Sequence, residues 1–134
     1  MVDARGIPLS IRVAGANRHD VRLLAPTLAH RLVRAPAPHR VHLCADKGYL
    51  GERAEDTIRT AGYVPHVRPR GEHAVPAEAR RHPARRWVVE RTLSWLNRFR
   101  KLLVRFEKRA RSYEGLLQLA CALIVYRQVI VIHG

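Results

Sequence analysis

Lysine is scarce in this 134-residue chain: Lys47, Lys101 and Lys108 stand beside 22 arginines. Acids are few as well, 11 against 25 Lys and Arg, which leaves a formal charge of +14. Cysteine is limited to Cys44 and Cys121. That excludes a dense disulfide scaffold, and neither residue sits in a CxxC or Cys/His metal spacing. Aromatic residues make up 6%, too few for the exposed stacking sheet of a module that reads single-stranded RNA. Met1 to Gly6 lacks the basic-then-apolar pattern of a secretory signal. The longest apolar stretch, Leu116 to Ile132, is interrupted by Gln118, Arg127 and Gln128. It reads as a buried or partner-facing helix, so no membrane partner is expected.

What is present points to one small cytosolic domain. The length suits one domain, and 47% apolar residues are enough for a core, which excludes a wholly disordered basic tail. GC-rich coding accounts for Arg in place of Lys, but not for the net charge, since it exchanges one cation for another. The charge is also uneven. Arg80 to Arg111 holds twelve Arg and Lys against Glu90 and Glu107 only. A face of that sign attracts polyanions, and arginine forks suit phosphate.

Hydropathy patterning gives the order strand, helix, strand, helix, strand, then two helices. Ile7 to Ala14 alternates with period two, and Asp3 to Gly6 before it reads as a turn that pairs it with Met1–Val2. Asp20 is a candidate N-cap for a helix with Leu24, Leu28 and Leu32 on one stripe. Val41 to Ala45 reads as a buried strand, Glu52 to Thr60 as a helix closed by Gly62, and Tyr63 to Val67 as an edge strand. Arg68 to Arg85 has no period and is expected to be a mobile loop. Trp87 to Phe106 is the strongest helix signal, with Val89, Leu93, Leu96, Phe99 and Leu103 as its stripe. Tyr113 to Ile132 is a second long helix.

Two acids draw attention. Asp46 ends a strand, the position where ligands sit in α/β sheets, although position alone equally suits a turn-capping aspartate. Glu90 lies inside the strongest helix with Arg86 four residues before it, an arrangement that an intrahelical ion pair also explains. A carboxylate on a strand end and another on a helix, within a phosphate-attracting surface, are what Mg²⁺-dependent phosphoryl transfer requires. The eight histidines are scattered, and Ser10, Ser94 and Ser112 lack a nucleophile context, so zinc and triad chemistry are not indicated.

Ala45 to Tyr49, Arg85 to Thr92, Trp95 to Leu102 and Arg105 to Arg109, in that order, resemble the DDE transposases of bacterial insertion sequences. The nearest resemblance is to the insertion-sequence-five family within the four-like superfamily. Val2 to Leu9 and Gly15 to Asp20 also resemble its early strands, so the likeness covers nearly the whole chain. It implies an α/β fold: an RNase H-like mixed sheet, here truncated with its first strand missing, flanking helices and a long C-terminal helical pair. It implies a triad of two Asp and one Glu holding two Mg²⁺. The second Asp falls on Asp46 and the Glu on Glu90, and both are therefore candidate metal ligands. The family's Arg four residues before the Glu is Arg86. A Tyr three residues earlier is replaced by Pro83, and a Lys seven residues after the Glu by Asn97.

The family's first Asp belongs to a strand upstream of Met1. Asp3 is read as part of a turn and Asp20 as a cap. The expectation is therefore that residues 1–134 are the carboxy-terminal part of the catalytic domain, nucleoid-associated in the cytoplasm. The complete enzyme would cut and join DNA at element ends. Candidate phosphate contacts are Arg86, Arg91, Arg98, Arg100, Lys101, Arg105, Lys108 and Arg109. The partners implied are double-stranded DNA at element ends and target, and an upstream-frame product or the full-length transposase. The alternative is a catalytically dead DNA-binding remnant that competes with the full-length enzyme.

Overall fold

Residues 1–33, 41–67 and 86–133 are described in the computed structural model of the chain. They divide into two units: Ala14–Arg85, and Met1–Val13 together with Arg86–Gly134.

The first unit is built on a strand–helix–strand segment. Strand β1 (His42–Ala45) and strand β2 (Val64–Val67) pair in parallel, with His42 opposite Val64 and Ala45 opposite Val67. Parallel neighbours require a crossover, and helix α2 (Glu52–Thr60) provides it. Local chemistry fixes α2 at both ends. Glu52 and Glu55 lie in its first turn and Arg59 in its last, each favourable to the helix dipole. At the other end Gly62 takes φ +87, its N–H donates to the Arg59 carbonyl, and the Tyr63 N–H donates to the Ile58 carbonyl. This is the paired bonding of a Schellman end, which needs a residue free to adopt positive φ. Ile58 is fully buried, with Ala54, Tyr63, and Leu24 and Leu28 of helix α1 (Val21–Ala29) also buried in this unit.

Three expectations change in this unit. Helix α1 closes one turn after Pro26, so Leu32 lies outside it and is exposed. Asp20 precedes α1 without a side-chain capping bond. Strand β1 alternates between exposed and half-buried residues instead of being buried. Among the described residues the sheet has only two strands. That accommodates Pro65 within β2, which has one strand neighbour. The Arg68 to Arg85 segment lies outside the described residues.

The second unit is helical. Helix α3 (Arg86–Asn97), the short helix α4 (Arg100–Leu103) and helix α5 (Ala110–His133) bury Leu96, Leu102, Leu117, Ala120 and Ile124 together. Ile11 and Val13 pack against that cluster. The period-two segment from Ile7 to Ala14 is therefore not a strand; its apolar side chains settle on helices. Its pairing with the N-terminus is confined to an isolated antiparallel bridge between Val2 and Pro8. The turn between them is well fastened. Asp3 Oδ1 accepts the N–H groups of Arg5 and Ile7, both at 2.8 Å. Gly6 adopts φ +86, and a Cβ there would sit 3.1 Å from Thr92 Oγ1 and 3.3 Å from the Val88 carbonyl oxygen. The buried Thr92 hydroxyl lies 2.5 Å from the Gly6 carbonyl and ties this turn to α3.

The expected continuous helix from Trp87 to Phe106 breaks after Asn97. Asn97 and Phe99 are weak helix formers, and Arg98 and Lys101 would repel at i,i+3. Phe99 is extended and its carbonyl accepts the Leu102 and Leu103 N–H groups, restarting the helix. The buried stripe differs from the expected one on both sides of the break. Val88, Thr92, Leu96 and Leu102 are buried, while Val89, Leu93 and Leu103 are exposed.

Candidate functional site

Asp46 follows β1 and opens a single 3-10 turn, Lys47–Tyr49. Its Oδ1 accepts the Lys47 N–H at 2.7 Å, and its carbonyl accepts the Tyr49 N–H at 2.9 Å. The residue is exposed, as a ligand-binding carboxylate at a strand end must be. It thus has the turn-forming role that its position allowed, with one carboxylate oxygen committed locally. Tyr49 was not singled out from sequence. Burial, with added repulsion from the Asp20 and Asp46 carboxylates, holds its phenol above the usual tyrosine value. The signal for it was present: an aromatic residue three positions after Asp46.

Glu90 lies on α3, exposed, while Val88, Thr92 and Leu96 face the core. Asp46 and Glu90 belong to different units. Arg86 heads α3, and its side chain lies outside the described residues.

The remaining candidate cations, Arg91, Arg98, Arg100, Lys101, Arg105, Lys108 and Arg109, are all exposed and all in the helical unit. Two of them are braced by aromatic rings. The Arg91 guanidinium stands 4.5 Å from the Trp87 ring centroid, and that of Arg105 stands 5.1 Å from Tyr113. Tyr113 in turn donates its hydroxyl to the Leu102 carbonyl at 3.3 Å. A stacked guanidinium loses less freedom when it meets a phosphate, because its plane is already fixed. The Arg105–Tyr113 pairing spans the end of α4 and the start of α5, so no helical spacing could have revealed it.

Asp46 and Glu90 offer the hard oxygen donors that Mg²⁺ takes. Among the described residues no group of three His, Cys, Asp or Glu side chains could hold a metal ion. Mg²⁺ is commonly held by one or two carboxylates and completes its shell with water and substrate phosphates, so these residues fit it in kind.

The acid at a strand end, the acid on a helix and the exposed cations sit in a chain of the transposase class. The chain belongs to the transposase DDE domain family, which matches residues 1–125. It is 37% identical over 132 residues to a Burkholderia cepacia protein named "Putative transposase for insertion sequence element IS402". That match covers 94% of this chain and 60% of the relative, so the chain spans about three fifths of the curated relative's length. No solved structure matches.

Proposed function

We propose that the chain supplies part of the RNase H-like catalytic domain of an insertion-sequence transposase, with Asp46 and Glu90 as two of its three catalytic carboxylates. The observation that carries this reading is family membership across residues 1–125, with both acids inside their motifs. Exposed Arg98, Arg100, Lys101, Arg105, Lys108 and Arg109 grip the DNA backbone, and backbone contacts set position without reading sequence. Asp46 and Glu90 present carboxylate oxygens as ligands for Mg²⁺. Bound Mg²⁺ would activate water for strand cleavage and stabilise the leaving oxygen, then serve joining of the 3′-hydroxyl to target DNA. Asp3 is unsuited to be the third acid, because its Oδ1 already holds two backbone N–H groups. The third carboxylate is read as lying in the part of the curated relative's length that this chain does not span, with Asp20, which makes no capping bond and acts with Asp46 on Tyr49, as the alternative within the chain.

The second reading is a DNA-binding competitor of the full-length transposase. Its support is that the braced cations need neither Asp46 nor Mg²⁺ to hold phosphate.

The test is nicking of a labelled element end in Mg²⁺. The 134-residue chain alone should bind DNA without nicking it. Fusion to the upstream segment of a full-length relative should bring cleavage, and Asp46→Asn or Glu90→Gln in that fusion should remove it by at least about a thousandfold. Cleavage by the chain alone would overturn the assignment of the third acid. Cleavage by the fusion that survives both substitutions would overturn Asp46 and Glu90.

A further inference from the structure

Arg105 does more than offer a charge. Its Nε donates to the Glu107 carbonyl at 3.3 Å, and its guanidinium stands over the Tyr113 ring. That bridge spans Phe106 and fixes the backbone on either side of it. The Tyr113 hydroxyl donates to the Leu102 carbonyl, which ties the two ends of the loop between α4 and α5 together. Phe106 itself is 73% exposed, and among the described residues no Phe, Tyr or Trp is more exposed. Arg100, Lys101, Arg105, Lys108 and Arg109 are exposed beside it in sequence, and Glu107 is the one acid between Arg98 and Tyr113.

We propose that Phe106 is a wedge for duplex DNA: its ring enters between stacked base pairs at a pyrimidine–purine step, while the cations of the loop hold the flanking phosphates. This rests on the reading that the helical unit holds DNA, and adds to it a contact with the bases. The mixture of ring and charge selects the occupant. An apolar protein surface would have to desolvate the neighbouring guanidinium and ammonium groups to reach the ring. DNA offers phosphates to those groups and, directly behind, the apolar faces of the bases. Anchoring to lipid takes the long apolar face of an amphipathic helix, which this short loop does not offer. Single strands are held by successive stacking platforms. Here Phe106 stands alone, because the Trp87 and Tyr113 rings are engaged by Arg91 and Arg105.

The bridge across Phe106 also serves the wedge. Parting two base pairs is costly, and a ring already held in place spends less of its contact energy on becoming ordered. Pyrimidine–purine steps unstack most readily, so the ring enters there at the lowest cost. A stiff A-tract resists it.

Two duplexes of about 24 base pairs test this, one with a central TpA step whose adenine is replaced by 2-aminopurine and one with the same fluorescent base inside a central A-tract. At saturation the 134-residue chain should raise emission from the TpA duplex at least about threefold, and from the A-tract duplex less than about 1.5-fold. Phe106→Ala should abolish the rise and weaken TpA binding about fivefold, with the salt slope unchanged because no cation is lost. Phe106→Leu keeps an apolar wedge and should retain at least about half of the rise. Should Phe106→Ala lose its helical circular dichroism, Phe106→Gln takes its place with the same losses expected. A saturated TpA complex without the rise, a rise that persists in the folded variant, or equal rises on both duplexes would overturn the wedge and leave backbone binding standing. Absence of salt-dependent binding to either duplex would overturn the DNA-holding reading itself, and the wedge with it.

Discussion

Ala14–Arg85 carries thirteen Arg and Lys against seven acids, and Met1–Val13 with Arg86–Gly134 carries twelve against four. Four of the five acids among the described residues of the first unit are used locally. Glu52 and Glu55 open α2, Glu55 and Asp56 lie 2.9 and 3.3 Å from Arg59, and Asp46 fastens its own turn. In the second unit Asp3 fastens a turn and Glu114 stands 3.4 Å from Arg12, while the cations far exceed the acids. Locally paired acids with a fully buried Ile58 describe a unit that holds itself together. In the helical unit Arg91 and Arg105 stack on Trp87 and Tyr113, as Arg31 does on Tyr63 in the first unit, and cations outnumber acids three to one. That excess costs self-repulsion, which phosphate relieves.

The largest effect that separates the units should come from Ile58→Ala. It leaves a cavity in the only fully buried large side-chain position among the described residues. The expected loss is about 2–5 kcal/mol in urea unfolding, with DNA affinity at low denaturant changed less than about twofold. A matching loss of DNA affinity would show that phosphate binding depends on the first unit and would erase the division of labour.

Charge reversal should do the opposite. Arg98→Glu and Arg100→Glu are each expected to weaken binding of a random duplex about tenfold and to lower the salt slope by about one, read by fluorescence anisotropy across a salt series. Arg53→Glu and Arg59→Glu in α2 should change affinity less than about twofold. Equal losses from both pairs would mean that net charge alone attracts DNA, without a defined face.

These contrasts were partly legible in the sequence. Helix α2 was, because Glu52 at its start and Gly62 after its end are local signals that need no partner. Both strands were placed within a residue, since Val, Leu and Ala runs bounded by turn residues read the same in any context. The Ile7 to Ala14 segment was misread because alternation specifies two faces, not a ladder; Ile11 and Val13 found helices to pack on instead. The stripe on α3 was misread because Thr92 counts as polar in a hydropathy pattern, yet its hydroxyl is satisfied by the Gly6 and Val88 carbonyls and it is buried between Val88 and Leu96 while Val89 and Leu93 are exposed. Of the candidate site, the motifs around Asp46 and Glu90 were readable, since each acid ends or rides an element with a clear pattern. The aromatic brace under Arg105 and the neighbours of Tyr49 were not, because both arise from tertiary approach.

The smallest effect sharpens the comparison at the acids of the first unit. Tyr49 is half-buried, and burial with the charges of Asp20 and Asp46 raises its phenol above the ordinary 10.0. The folded chain therefore keeps this proton to higher pH than the unfolded chain does. The stability linked to it is fully present below about pH 10 and is lost as pH rises through the raised value, because the unfolded chain ionises first. Tyr49→Phe keeps the ring and removes the proton. Its urea midpoint should fall less between about pH 10 and 11.5 than that of the parent chain, and the two should nearly coincide at pH 8. Phenolate absorbance should assign the late-titrating group by its loss in the variant. Asp46→Asn removes one of the two repelling carboxylates, so it should bring that titration down toward the ordinary value. An unchanged Tyr49 titration in Asp46→Asn would place the Asp46 carboxylate away from the phenol and would remove Tyr49 from the candidate site.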